Sequence, residues 1–220
     1  MAGRLDMQNF NVNDYIMGLD LGQVNDYSAL AILQRVFPHT CETPVFPDEA
    51  RRGQSYYQLR YLQRYPLRTS YPDIVNDVIN KQIELKKAWI VIDFTGVGRP
   101  VLDMFQKRDT LAHGISITGG DRAHRVPGGF AVPKRDLVAC LVGLLQQQRL
   151  KIPGSLNIKH VLIKELQNFK IKVSSTGHDS YEAWRESDHD DLVLAVAMAA
   201  FFGDKVLRQK ETTRSIMGNV

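Results

Sequence analysis

The stretch "YIMGLDLGQVNDYSAL", Tyr15 to Leu30, decides the fold. Two apolar, β-prone runs, "YIMGLDLG" and "SALAILQRV", flank a Gly/Asn/Asp turn, a pattern that predicts two antiparallel strands. The first strand carries Asp20 between Leu19 and Leu21. A carboxylate inside a buried strand is costly unless it is paired or bound to a cation, and neither the flanking leucines nor "YIMG" offers one. Asp20 therefore needs a partner from elsewhere in the chain.

Outward from this hairpin, "SYYQLRYLQRYPL" alternates with period two and predicts a third antiparallel strand. The segment before it, "FPHTCETPVFPDEARRG", holds three prolines and mixed charge and reads as an exposed excursion of the hairpin. Ile74, Val78, Ile79, Ile83 and Leu85 then fall on one helical face, with Ser70 or Asp73 as the cap. "AWIVIDFTG" reads as a strand buried on both faces, hence parallel within a covered sheet. A helix from Arg99 to about Arg108 and a strand "GISITGG" continue the alternation. After the basic, glycine-rich "DRAHRVPGGFAVPKR" come the helix "DLVACLVGLLQQQR", a short "LKIP", the helix "NIKHVLIKELQNF" and a last helix starting near His189 or Asp190. The whole predicts a mixed α/β sheet, three antiparallel strands followed by parallel ones, flanked by helices.

With 220 residues, 44% hydrophobic and 24% charged, the chain can bury one sizeable core. The expected division is an extension or cloning remnant over 1–14, one domain over 15–204 and a flexible tail over 205–220. A formal charge of +4 favours an anionic partner. Cys41 and Cys140 are too few for a disulfide framework and are not spaced as a zinc site, which suits a reducing interior. No apolar run reaches the roughly 18 residues that span a bilayer, and "MAGRLDMQNF" lacks the apolar stretch of a signal peptide. A cytoplasmic location without membrane attachment is expected.

Acids stand where elements end. Asp20 lies on the first strand, Asp93 near the carboxyl end of "WIVID", and Asp190 and Asp191 at the start of the last helix. In α/β sheets the functional crevice lies outside the carboxyl ends of the strands. Taken singly, Asp190 or Asp191 would serve as a helix cap and Asp93 would organise a turn. Taken together with Asp20, they suit hard divalent cations, which prefer oxygen ligands. Two such ions roughly 3.5–4 Å apart activate water and stabilise the leaving oxygen of a phosphodiester, so the reaction implied is phosphodiester hydrolysis.

"GLDLGQVNDYSAL", "VIDFTGVGRPVLD", "VPKRDLVACLVGLLQQQRLKIP" and "HDDLVLAVAMA", in this order, resemble the nuclease domain of the large terminase subunit of tailed bacteriophages. The resemblance covers roughly Tyr15 to Phe202 and implies an RNase H-like fold of the retroviral integrase superfamily. It further implies a Mg²⁺- or Mn²⁺-dependent endonuclease that uses two ions to cut concatemeric double-stranded DNA during packaging in an infected bacterial host. Asp20, Asp93 and Asp191 would be catalytic metal ligands, with Asp190 and Asp26 of second rank. Relatives often carry a further acid where this chain has Leu194, which leaves open whether Asp190 or Asp191 leads. The family's other partners are an ATPase motor domain, a portal and a small terminase subunit. The chain contains no G-x-x-x-x-G-K-[ST] phosphate loop, so the motor is expected to be absent from it.

Lys134 and Arg135 match a family element and are candidates for contact with the scissile phosphate; Arg122 and Arg125, with His124, suggest a mobile DNA-facing loop. A solvated basic surface is the plain alternative. His189 is a candidate for orienting a ligand. His178 and Trp184 are expected in a hairpin beside the site, and Trp89 in the core. Competing functions are a Holliday-junction resolvase-like nuclease, an actin-like ATP-binding module and a catalytically inert DNA clamp.

Overall fold

A computed structural model of the chain describes residues 15–23, 25–36, 55–86, 88–175 and 189–208, with the side chains of 169–175 excepted. Cys41, His178, Trp184, the 1–14 extension and 209–220 lie outside the described residues.

The first hairpin is β1 (Tyr15–Asp20) and β2 (Ala29–Val36), paired antiparallel with Asp20 opposite Ala29. β3 (Tyr56–Arg64) pairs antiparallel on the far side of β2, as its alternation predicts. On the other side of β1, β4 (Trp89–Asp93) runs parallel to it, and β5 (Ala112–Thr118) runs parallel to β4. The mixed sheet of antiparallel then parallel strands is thus the one expected.

Two differences extend the sheet. "DRAHRVPGGFAVPKR", expected as a loop, forms an antiparallel ribbon of β6 (His124–Val126) and β7 (Gly129–Pro133). β7 continues the sheet beside β5, where Gly129 meets Gly114 without side chains to hold the backbones apart. At the opposite edge, Leu150 and Lys151 of "LKIP" form β8, parallel to β3. The final order is β6-β7-β5-β4-β1-β2-β3-β8.

Helices cover both faces. α1 (Tyr71–Glu84), capped by Ser70, whose hydroxyl accepts from the Asp73 amide, packs with α2 (Gly98–Gln106) on the face formed by Met17, Leu19, Ile90 and Ile92. α3 (Lys134–Gln146), α4 (Lys159–Ser175) and α5 (Asp191–Phe201) lie on the other face, over Ile16, Ala29, Ala31 and Val91. Trp89 packs at the margin of that core against His113 and Phe202. The helical path runs on past 204 through a π-helical segment, Phe202–Leu207, in which Val206 and Leu207 are buried. The sequence predicts a flexible tail over those two residues.

Strand alternation decides where the acids point. On β1, Ile16 belongs to the α3/α5 core and Met17 and Leu19 to the α1/α2 core. Asp20 therefore shares the face of Ile16. On β4, Val91 faces α5 while Ile90 and Ile92 face α1, so Asp93 also turns to the α5 side. Leu19 is in register with Ile92, and the next residue of each strand is an aspartate.

Candidate active site

Asp20 and Asp93 end two neighbouring parallel strands on one face of the sheet, and α5, lying on that face, begins with Asp191. Asp190, directly before it, makes no side-chain cap to its own helix. Its carboxylate instead accepts from the Lys134 ammonium of α3, 3.1 Å away.

The acids raise one another's carboxyls. Asp20 is 7% exposed. Burial pushes its carboxyl well above the usual range, and the carboxylates of Asp93, Asp191 and Asp190 push it further, with Lys134 opposing. Asp93 is raised by burial, opposed by hydrogen bonds from Thr95, whose amide donates to Oδ1 at 2.8 Å, and by Lys134. The turn-organising use of Asp93 is therefore real and coexists with its place beside the other acids. Lys134 itself is lowered by burial and held up by Asp190, Asp20 and Asp93. It offsets the charge of Asp20, Asp93 and Asp190.

Asp191 is raised from 3.8 to about 6 by burial, opposed by Arg64 and His189 and reinforced by Asp190 and Asp26. Its Oδ2 is buried and has no hydrogen-bond partner among the described residues. His189 Nδ1 stands 3.9 Å from that oxygen, too far to bond it, while the ring packs edge-on against Tyr27, centroids 5.1 Å apart. Asp26 is exposed on the β1–β2 turn and reaches Asp191 only through its field.

The peripheral basic residues divide. Arg135 bonds the carbonyl and carboxylate of Asp121 at 2.8 and 3.0 Å. The Arg125 guanidinium lies over the Phe130 ring, and Arg122 is exposed at the start of the ribbon. Arg125 lies on β6 and Arg135 on α3, whereas Arg122 stands in the irregular segment before the ribbon.

Two residues beside the acids, Glu165 and Arg64, were missed from the sequence. Glu165, buried on α4, accepts from the Leu192 and Val193 amides at 3.1 Å each, capping α5 from outside its own chain segment. It also takes a hydrogen bond from Arg64, the last residue of β3. Burial raises its carboxyl to about 7, opposed by Arg64 and the Val193 amide.

These raised acids make a pH prediction. A carboxyl whose folded-state pKa lies above its unfolded value contributes stability below the unfolded pKa and loses it as pH rises through the folded one. For Asp191 the window runs from 3.8 to about 6 and for Glu165 from 4.5 to about 7. The rise at Asp191 alone corresponds to roughly 3 kcal/mol. Protein kept in chelator should therefore melt at a lower temperature at pH 8 than at pH 5 in scanning calorimetry. A melting temperature that climbs over this interval would contradict the reading of the cluster as strained.

The donor set is all hard oxygen, which suits Mg²⁺ or Mn²⁺, and Oδ2 of Asp191 makes no hydrogen bond among the described residues. As the side chains stand, no three His, Cys, Asp or Glu residues among those described are arranged to hold an ion together. The Lys134 ammonium lies among the acids in this arrangement.

No family model and no curated protein matches the chain in sequence. In structure it is similar to the large terminase nuclease from thermophilic phage G20c, with a TM-score of 0.54 and 16% identity over 84% of this chain and 80% of that one. A form of that nuclease with bound magnesium aligns at a TM-score of 0.53 and 16% identity, covering 84% and 79% of the two chains. A zinc-bound form aligns at 0.52 and 17% over 84% and 78%. What the chain shares with these proteins is their fold, the RNase H-like mixed sheet of the phage large terminase nuclease.

Proposed function

We propose that the chain is the nuclease domain of a viral DNA-packaging terminase, hydrolysing phosphodiester bonds of concatemeric double-stranded DNA with two Mg²⁺ or Mn²⁺ ions. What supports this reading is that Asp20 and Asp93 end neighbouring parallel strands on the face covered by α5, which begins with Asp191, while Asp190 accepts from Lys134. The shared fold supports it, as does the magnesium bound by one of the similar nucleases.

Asp20, Asp93 and Asp191 are the residues that would hold the ions, with Asp190 beside them. Divalent ions at such a site supply an activated water and stabilise the leaving oxygen. The protein's own part is to fix the carboxylates on two strand ends and a capped helix, so that little reorganisation is left for the reaction. Lys134 balances the acids and, together with Arg135, Arg122 and Arg125 on the β6–β7 side, offers positive charge to a DNA backbone. An ATPase motor, a portal and a small terminase subunit are the assembly partners this reading entails.

The test is direct. Purified protein should nick or linearise plasmid DNA with Mn²⁺ or Mg²⁺, stop when the metal is chelated, and show no ATP turnover. Linear duplex should be cut at least as well as a four-way junction; strong preference for the junction would favour the resolvase alternative. ATP hydrolysis without nuclease activity under either metal would move the chain to the actin-like class.

A further inference from the structure

The first turn of α5 is held by a four-residue arrangement that the carboxylates alone do not explain. Glu165 divides its two oxygens between two tasks. Oε2 accepts from the Leu192 and Val193 amides at 3.1 Å each, which fixes the start of the helix next to Asp191. Oε1 accepts from Arg64 Nη2.

Arg64 stands between two acids. The same Nη2 lies 3.4 Å from Asp191 Oδ2, close enough for Coulomb attraction, yet that oxygen makes no hydrogen bond among the described residues. The guanidinium face is set against the Tyr27 ring, 4.8 Å from its centroid, which limits how the fork can turn. One guanidinium between two buried carboxylates bonds the one that offers the better geometry, and here that is Glu165.

We infer that Glu165 is a positioning residue that engages Arg64 and caps α5, so that the Asp191 carboxylate stays oriented and uncommitted for a divalent ion. This rests on reading Asp191 as a metal ligand. Without the charge of Glu165, Arg64 has Asp191 as its nearest carboxylate and closes onto it as a forked, charge-assisted pair. An incoming ion would then have to break that pair.

The experiment is a Mn²⁺ titration by calorimetry on wild-type protein, Glu165→Gln, Arg64→Met and the double variant, with melting temperatures in chelator measured alongside. Glutamine keeps the shape and one acceptor for the helix amides but turns an NH₂ donor toward Arg64. Glu165→Gln should weaken Mn²⁺ binding by about 10–100-fold, the usual effect of losing a residue behind the ligands. Arg64→Met should bind at least as tightly as wild type, and the double variant should recover most of the lost affinity. In cleavage assays the metal concentration for half-maximal rate should rise in Glu165→Gln, while the rate at saturating metal stays near that of wild type.

Wild-type Mn²⁺ affinity in Glu165→Gln, with only a lower melting temperature, would reduce Glu165 to a helix cap and overturn the inference. Equal weakening in the single and double variants would show that Arg64 is not the intermediary and would overturn it too. No Mn²⁺ uptake by the wild type would remove the metal site itself, and this assignment with it.

Discussion

Asp20→Asn should abolish metal-dependent cleavage and, in the same preparation, raise the melting temperature of the metal-free protein. The loss follows from position. Asp20 sits on the central strand, facing Asp93 on one neighbour and the start of α5. Removing a residue behind metal ligands costs about 10–100-fold, and removing a residue that would itself hold an ion should cost more. The gain follows from charge. Asp20 is buried and repelled by three other acids, with Lys134 attracting it, so its ionised form is held against a standing penalty. Asparagine fills the same space without that charge, and each kcal/mol released should appear as roughly 2–4 °C for a chain of this size. Calorimetry at pH 8 in chelator and plasmid cleavage in Mn²⁺ read the two effects. A variant that is inactive but also less stable in chelator would mean that Asp20 is a satisfied structural acid.

The conflict at Asp20 was legible in the sequence because it breaks a local rule. An aspartate between leucines in a β-prone run contradicts its surroundings, and such contradictions concentrate at functional sites. The antiparallel opening, the buried β4 and the Ser70 cap were legible for the opposite reason, since pattern and turn chemistry agree there. Glu165 was not. In "NIKHVLIKELQNF" it occupies an ordinary position in a mixed helix, and its partners lie 27 and 28 residues downstream on α5 and 101 residues upstream on β3. Nothing local marks it. The β6–β7 ribbon was hidden by its own composition, because the Pro and Gly residues around three-residue β6 read as loop punctuation. Only pairing with β5 makes β7 a strand. The π-helical continuation after Phe201 likewise depends on what lies beneath it, Ile16 and Tyr57, which a Cβ on Gly203 would strike at 2.7 Å.

Gly18→Ala should be strongly destabilising and should disturb the site as well. Glycine in a strand interior is unfavourable by itself, so its presence in β1 calls for a reason on the other side of the contact. A Cβ built there would lie 2.0 Å from the Ala195 carbonyl oxygen and 3.1 Å from the Ala199 methyl group, both on α5. The helix backbone rests directly on the strand, with alanines at the contact and no flexible side chain to give way. Overpacking a core costs about 1–3 kcal/mol where side chains can adjust, and a backbone contact on both sides belongs at or beyond the upper end. The helix must move outward, and it carries Asp190 and Asp191 with it, while Asp20 stays two residues away on β1. Activity should therefore fall further than stability alone explains, even at temperatures where the variant remains folded. Gly143→Ala is the matched control. Gly143 lies inside α3 with nothing within 4 Å of the added methyl, so the same substitution should stabilise by roughly 0.5–1 kcal/mol and leave cleavage intact. Urea titrations of the two variants, paired with cleavage at a temperature where both are folded, separate the effects. Wild-type stability in Gly18→Ala would mean that α5 does not sit on β1 as closely as this structure has it, and the convergence of the acids would have to be drawn again.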